Sequence, residues 1–232
     1  MPEPGGLAIV TGETARHSNR GNFVNGRLFP NSQLYDAGYC VIFARHILPA
    51  DLLSRAAGRA ATRVSLNRLE AEIIQAQGEE IEEDDVPELD LDELRNGGFL
   101  DLSGPLVRSG THNDWSFIVE PYGSYLARDE VISAVSQGTT ALSLRETGST
   151  WIAYAENGTL LSSFDPLFPE QDYGKRPEVL ANITGFRAAV DAGDRSDAYE
   201  IARRRIQEGL GCAMPQEVDD ARLLAARIPG VY

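Results

Sequence analysis

The hydrophobic positions follow different patterns along the chain, and each pattern predicts a different kind of element. A continuous apolar run over 39–44, rich in aromatic and β-branched residues, is typical of a buried strand. Apolar residues then recur at helical spacing over 49–58 and from Ser65 to Gly78, where we expect Ser65 to cap the helix. The first third of the chain is therefore predicted to fold as a strand followed by two helices.

In the middle third the apolar spacing shortens to two residues, which is the spacing of a strand with one buried face. We expect a strand over 115–120, a helix over 128–137, and then a three-strand meander over 139–165. Thr147-Gly148 and Asn157-Gly158 are the expected two-residue turns of the meander, and Asn-Gly is a strong hairpin signal.

Two-residue turns fix which residues of the meander lie opposite each other. They pair Leu142 with Ala153 and Leu144 with Trp151, so these side chains are predicted to face the core. The opposite face carries three sizeable apolar residues in its middle: Ile152, Tyr154 and Leu161. Either a second layer of this chain or a partner molecule covers them, and the flanking helices favour cover within the chain.

The last third is predicted to be helical, with helices from Pro177 to Gly193, from Asp194 or Ser196 onward, and from Pro215 to Ile228. No internal repeat divides the chain. We therefore expect a single α+β domain over 38–228, with a mainly antiparallel sheet, flanking helices and a helical C-terminal third. An irregular segment over 1–37 precedes it.

The chain of 232 residues has a net charge of −14, and most of this charge is concentrated in one segment. Residues 79–101 hold eleven carboxylates and a single cation, Arg95, and so contribute −10. Because neighbouring carboxylates repel each other, and because Pro87 and Gly97-Gly98 interrupt regular structure, we expect a mobile, solvated insertion. Apolar residues interrupt the charges, however, and the alternative is a segment that docks onto a basic, hydrophobic partner.

The acidic charge disfavours passive binding to nucleic acid or to anionic lipid. No apolar run reaches the roughly 20 residues of a membrane-spanning helix, and no signal peptide is recognisable, so we expect a cytoplasmic protein. The two cysteines, Cys40 and Cys212, and the three histidines lack metal-site spacing. A glycine-rich phosphate loop and a Gly-x-Ser-x-Gly elbow are also missing, so no cofactor and no metal is expected.

Weak candidates for catalysis are polar residues beside turns. Glu120 and Asp165 end predicted strands, and two carboxylates about 5 to 10 Å apart perform acid and base catalysis on glycosidic bonds. The loop that contains His112 and Asp114 is a second candidate site. Carboxylates beside turns more often cap backbone amides, and a connecting loop needs no catalytic role. A hydrolase is therefore the alternative hypothesis.

Four stretches carry a resemblance to a known family: YCVIFARHILPADL at 39–52, WSFIVEPYG at 115–123, RDEV at 128–131 and SFDPLFP at 163–169. With these motifs the chain resembles an actinobacterial family of unknown function, DUF6461. The similarity extends over about residues 37–228 and is looser in the closing region 209–227. It implies a cytosolic actinobacterial protein of one domain and carries no catalytic assignment.

The lack of a catalytic constellation favours a non-catalytic protein-binding module, for example an immunity or antitoxin partner of a basic toxin, or a regulatory partner protein. The residues expected to bind the partner are four carboxylates of the acidic segment and the apolar middle of the outer sheet face: Glu82, Glu83, Asp84, Asp85, Ile152, Tyr154 and Leu161. Steering by the acidic charge makes such association salt-sensitive. A homo-oligomer that buries the apolar face is the third alternative.

Overall fold

An eight-stranded sheet forms the centre of the structure. The computed structural model describes residue 35 and residues 37–122, 125–193 and 195–228, so most of the predicted irregular segment 1–37 lies outside the described residues. The strands are β1 Tyr39–Arg45, β2 Val64–Leu66, β3 Leu106–His112, β4 Trp115–Pro121, β5 Thr140–Glu146, β6 Thr150–Glu156, β7 Thr159–Phe164 and β8 Leu223–Arg227. Their order across the sheet is β2-β8-β3-β4-β1-β5-β6-β7, and all neighbouring pairs are antiparallel.

Short helices cover both faces of this sheet. They are α1 Pro49–Ala57, α2 Arg68–Gln77, α3 Leu91–Asn96, α4 Asp129–Val135, α5 Val179–Thr184, α6 Phe186–Ala192, α7 Ala198–Leu210 and α8 Gln216–Asp219. The α+β class, the antiparallel sheet, the meander and the helices of the C-terminal region are confirmed.

Two core clusters lie on opposite faces of the sheet. On the face that we name the α4 face, Leu53 of α1 and Ile132 of α4 pack with Ile118 of the sheet. On the other face, the α7 face, Phe186 of α6 stacks on Phe164 of β7 with ring centroids 4.5 Å apart. Burial of these apolar layers on both sides is the main stabilising contribution to the fold.

A third cluster lies on the α7 face at the β2 end of the sheet. There α2 and the acidic segment pack on Leu66, Leu106 and Ala225. The face follows from the register, because Arg108 lies opposite both Ala225 and Val119, and Val119 belongs to the core of the α7 face.

The register of the meander differs from the prediction by one residue. Glu146 lies opposite Thr150, so residues 147–149 form a three-residue connection instead of a two-residue turn. Because successive side chains of a strand alternate between faces, this shift moves Ile152 and Tyr154 to the same face as Leu142. The Asn157-Gly158 turn has two residues as predicted, and a bulge between Tyr154 and Ala155 then shifts the pairing of β6 with β7.

The register shift changes the role of the apolar residues that were expected to face a partner. Ile152, Tyr154 and Leu161 are buried in the core of the α7 face, where they pack together with the C-terminal helices. The prediction that this face binds a partner or a second copy is corrected, because cover within the chain, the favoured alternative, buries these side chains.

The predicted helix over 215–228 is also wrong. The four-residue helix α8 ends at Asp219, and β8 follows it. β8 pairs with β2 on one side and with β3 on the other, so two ladders satisfy its backbone, and Ala225 and Ala226 are buried in cores on opposite faces. Pairing within the sheet outweighs the helix propensity of its alanines and leucines.

Two helix boundaries differ for local reasons. Ser65 belongs to β2, and Asn67 caps α2 through a reciprocal pair of hydrogen bonds with Glu70. The helix expected from Pro177 to Gly193 is divided by Gly185, whose φ of 65° ends α5 and begins α6.

Candidate binding surface

The acidic segment is fixed to the body of the protein by its apolar side chains. Ile81, Val86 and Leu94 are buried in the third core cluster, and Leu89 and Leu91 are partly buried beside them. Between these anchors the chain forms two short 3₁₀ helices, at 78–80 and 83–85, and then α3. The apolar residues that were one reason to expect docking onto a partner are thus used within the chain.

Local hydrogen bonds fix the turns that connect these short helices. Glu82 and Asp85 form a reciprocal capping pair, in which the Glu82 N–H donates to the Asp85 carboxylate at 3.1 Å. Asp90 caps α3 by accepting the N–H groups of Asp92 and Glu93 at 2.9 and 3.0 Å. Carboxylates at helix N-termini are favourably placed relative to the helix dipole.

Arg222 ties the acidic segment to its neighbours. Its guanidinium donates to the Glu70 carboxylate of α2 at 2.5 Å and to the Glu88 carboxylate of the segment at 2.6 Å. It also donates to the backbone carbonyl of Ser65 in β2 at 3.0 Å. The segment is therefore fastened to β2 and α2 by polar contacts in addition to its apolar anchors.

All eleven carboxylates of the segment are exposed. Glu79 and Asp92 pair with Arg95, and Glu88 pairs with Arg222. Within the described ranges, no ion pair involves the four carboxylates at 82–85 that were predicted to bind a partner. We name these four, together with Glu88, Asp90 and Asp92, the acidic surface.

An open groove of about 670 Å³ runs along the acidic surface. Five carboxylates, three apolar residues and one cation line it: Glu83, Asp84, Glu88, Asp90, Asp92, Pro87, Leu89, Leu91 and Arg95. A bound lysine or arginine side chain is stabilised by carboxylates and by apolar residues together. Its charged end pairs with carboxylates, and its aliphatic stem packs on apolar surface. The groove therefore fits a basic side chain better than an acidic or a purely apolar one.

The expected pair of catalytic carboxylates is not formed. Glu120 belongs to β4 and Asp165 follows β7, so four strand spacings separate them, which is about 19 Å. This exceeds the range for acid and base catalysis on one bond, and the prediction of a glycosidase pair is wrong. The Glu120 carboxylate accepts the backbone N–H groups of Tyr125 and Leu126, and Asp165 accepts that of Leu167.

His112 and Asp114 lie at the other end of β4 from Glu120. His112 precedes the tight turn between β3 and β4, and Asp114 lies within this turn, exposed and 4.0 Å from Arg45. About five residues of extended strand, or roughly 17 Å, separate this turn from Glu120. The four weak catalytic candidates therefore do not converge on a common point.

A buried polar cluster escaped prediction from the sequence. Arg108 of β3 forms an ion pair with Asp219 of α8, and the Tyr35 hydroxyl donates to the same carboxylate at 2.9 Å. Nothing in the local spacing of these residues links them, since they are separated by more than 70 residues along the chain. The pairing arises from the sheet order, which places α8 over β3.

The part of the chain that the structure describes shows neither a cluster of metal ligands nor a membrane-spanning helix. No group of three histidine, cysteine, aspartate or glutamate side chains there can hold a metal ion. None of the helices there combines the length and the apolar character that crossing a bilayer requires. Cys40 and Cys212 are both buried and free.

A model of the family of unknown function DUF6461 matches residues 29–206, which is most of the chain. The chain belongs to this family. The DUF6461 match includes the acidic segment and ends within α7, so the looser similarity seen at 209–227 is not part of it. Neither the curated proteins nor the solved structures contain a match to this DUF6461 chain.

Proposed function

We propose that the protein is a non-catalytic protein-binding module whose acidic surface receives a basic partner. The supporting observation is that four carboxylates at 82–85 are exposed, form no ion pair within the described ranges and are held at a short helix between buried anchors. Fixed charges bind better than mobile ones, because less conformational entropy is lost when the partner docks. The groove beside them adds a place for an inserted lysine or arginine side chain.

The proposed partner is a protein with a basic surface, and a basic toxin neutralised by this chain is the specific case that we propose. Opposite charges accelerate encounter and impose a strong dependence on salt. The proposed setting is the cytoplasm of an actinobacterium, and two free, buried cysteines are compatible with a reducing compartment.

The test compares three proteins as bait in affinity capture from the native host. These are the wild type, a neutralised variant with Glu82→Gln, Glu83→Gln, Asp84→Asn and Asp85→Asn, and a control variant with Glu130→Gln and Glu217→Gln. The control residues are exposed and lie on α4 and α8. We expect a basic protein to be retained by the wild type and the control and to be lost from the neutralised variant.

The kinetics of the captured pair give the second readout. The neutralised variant is expected to associate about tenfold or more slowly at low salt, and raising the salt is expected to remove most of this difference. If all three proteins retained the captured partner equally and associated with it at equal rates, the proposal that the acidic surface binds the partner would be contradicted.

A further inference from the structure

A row of side chains crosses the α4 face at one end of the sheet. Cys40 of β1 lies opposite both Glu120 of β4 and Arg145 of β5, and Arg145 lies opposite Trp151 of β6. Residues opposite each other in antiparallel strands point to the same face. Glu120, Cys40, Arg145 and Trp151 therefore form one line across four strands.

The neighbours of Arg145 on this side of the row are a thiol and, one strand further, a carboxylate. The Glu120 carboxylate lies beyond Cys40 and accepts the N–H groups of Tyr125 and Leu126 at 3.0 and 2.7 Å. Burial raises the pKa of the Cys40 thiol to about 12, so the thiol is neutral at physiological pH. Its sulfur lies 3.4 Å from the Ser143 hydroxyl.

Arg145 has no partner of its own in the described part of the chain. Its guanidinium makes no hydrogen bond or ion pair with those residues, and its Nε is shielded from solvent. A shielded donor on a charged group is costly when it is unpaired, and such groups are rare in folded proteins. The side chain as a whole is only partly buried, so a solute can approach its terminal nitrogens.

Trp151, the cross-strand neighbour of Arg145, has a second aromatic ring beside it, that of Tyr173. The indole N–H of Trp151 donates to the Ser163 hydroxyl at 2.7 Å, which fixes the ring. Tyr173 is 44% exposed, and its ring centroid lies 6.1 Å from that of Trp151. Its hydroxyl donates to the Asp129 carboxylate at 3.2 Å, so this ring is also held in place.

We propose that Arg145 binds an oxyanion group, a carboxylate or a phosphate, of a small molecule whose aromatic ring packs beside Trp151 and Tyr173. The planar guanidinium matches both oxyanions with two parallel hydrogen bonds. Fixed aromatic side chains offer a flat apolar surface to a ring. This site lies on the opposite face of the sheet from the acidic surface and does not depend on the proposed function.

The test is titration of the full chain with phenyl phosphate, benzoate and inorganic phosphate, followed by calorimetry and by the NMR signal of the Arg145 Nε–H group. Arg145→Gln removes the charge, and Arg63→Gln is the matched control because Arg63 is exposed and lacks an ion pair within the described ranges. We expect the wild type and the control to bind phenyl phosphate or benzoate, and Arg145→Gln to bind about tenfold or more weakly. The preferred oxyanion distinguishes a phosphate ligand from a carboxylate ligand.

Two further measurements separate ligand binding from a structural role. Trp151→Leu is expected to abolish the preference for phenyl phosphate over inorganic phosphate. Arg145→Gln is expected to leave the unfolding temperature unchanged or to raise it, because the substitution breaks no described contact. The proposal is overturned if the wild type binds none of the three probes, if all variants bind equally, or if Arg145→Gln lowers the unfolding temperature.

Discussion

Arg108 and Asp219 form an ion pair whose two side chains are only 2% and 1% exposed. The Arg108 guanidinium also donates to the backbone carbonyl of Asp219 at 2.6 Å. Through these contacts β3 holds α8, and with it the turn that leads into β8. The pair therefore joins the sheet to the helix that precedes its last strand.

Asp219→Asn should lower the free energy of unfolding by about 3 to 5 kcal/mol, because it leaves the Arg108 charge buried without compensation. Urea denaturation measures the change. Glu208→Gln is the control, since it breaks an exposed pair with Arg205 and should cost at most about 0.5 kcal/mol. Equal effects of the two substitutions would contradict the burial argument.

Leu94→Ala should destabilise the protein by about 2 to 5 kcal/mol, because the side chain is buried in the third core cluster. Leu69→Ala on α2, where the side chain is 60% exposed, should change stability by about 0.5 kcal/mol or less. Chemical denaturation of both variants checks the difference. If Leu94→Ala were as mild as Leu69→Ala, the acidic segment would be the loosely attached insertion that its composition predicts.

Gly38→Ala should destabilise far more than Gly148→Ala, although both glycines have positive φ, at 93° and 80°. A Cβ at Gly38 would lie 2.3 Å from the Glu146 carbonyl oxygen, whereas Gly148 has open space around it. We expect a cost of about 1 kcal/mol at Gly148 and about 3 kcal/mol or more at Gly38. Thermal unfolding of the two variants measures this, and similar costs would refute the close approach of β1 and β5 at this point.

Asp172 should make stability depend on pH in a narrow window. Burial raises the pKa of its carboxyl to about 6, although its partner Arg187 opposes the shift and the nearby Glu170 adds to it. The folded state then holds the proton more tightly than the unfolded chain, whose aspartate pKa is about 3.9. The contribution of protonated Asp172 to the free energy of unfolding is therefore complete below about pH 4 and is lost as the pH rises to about 6.

Asp172→Asn removes this titration. The stability of the wild type relative to Asp172→Asn should therefore fall between about pH 4 and pH 6 and be constant above that range. Urea denaturation at several pH values provides the comparison, and Glu170→Gln, at an exposed neighbour, is the control. A relative stability that is flat across the window would show that Asp172 titrates as an exposed group.

The parts of the fold that were predictable are those with a strong local signal. β1, β4 and the Asn157-Gly158 hairpin follow from apolar runs and from a dipeptide that strongly favours one turn. The connection between β5 and β6 carries a weaker signal, since Thr147-Gly148 fits a two-residue turn and a three-residue loop alike. One added residue there was enough to assign the wrong face to Ile152 and Tyr154.

The remaining parts depend on contacts between residues that are distant in sequence. β8 is rich in alanine and leucine and becomes a strand only because β2 and β3 lie on either side of it. The exposure of the carboxylates at 82–85 was predictable from their charge, but the anchoring of Val86 and Leu94 requires the third cluster. That Arg145 lacks a partner among the described residues is visible only when its surroundings are known.

The position of β8 also sets the order in which the strands of the described sheet can pair during synthesis. Of the strands that the structure describes, β8 is the last to leave the ribosome, yet it lies between β2 and β3. Until it arrives, β2 has no neighbour in the sheet and one edge of β3 is unpaired, which is a state prone to association with other chains. The strands around Arg145 can pair earlier, so the acidic surface gains its full scaffold after the opposite end of the sheet is in place.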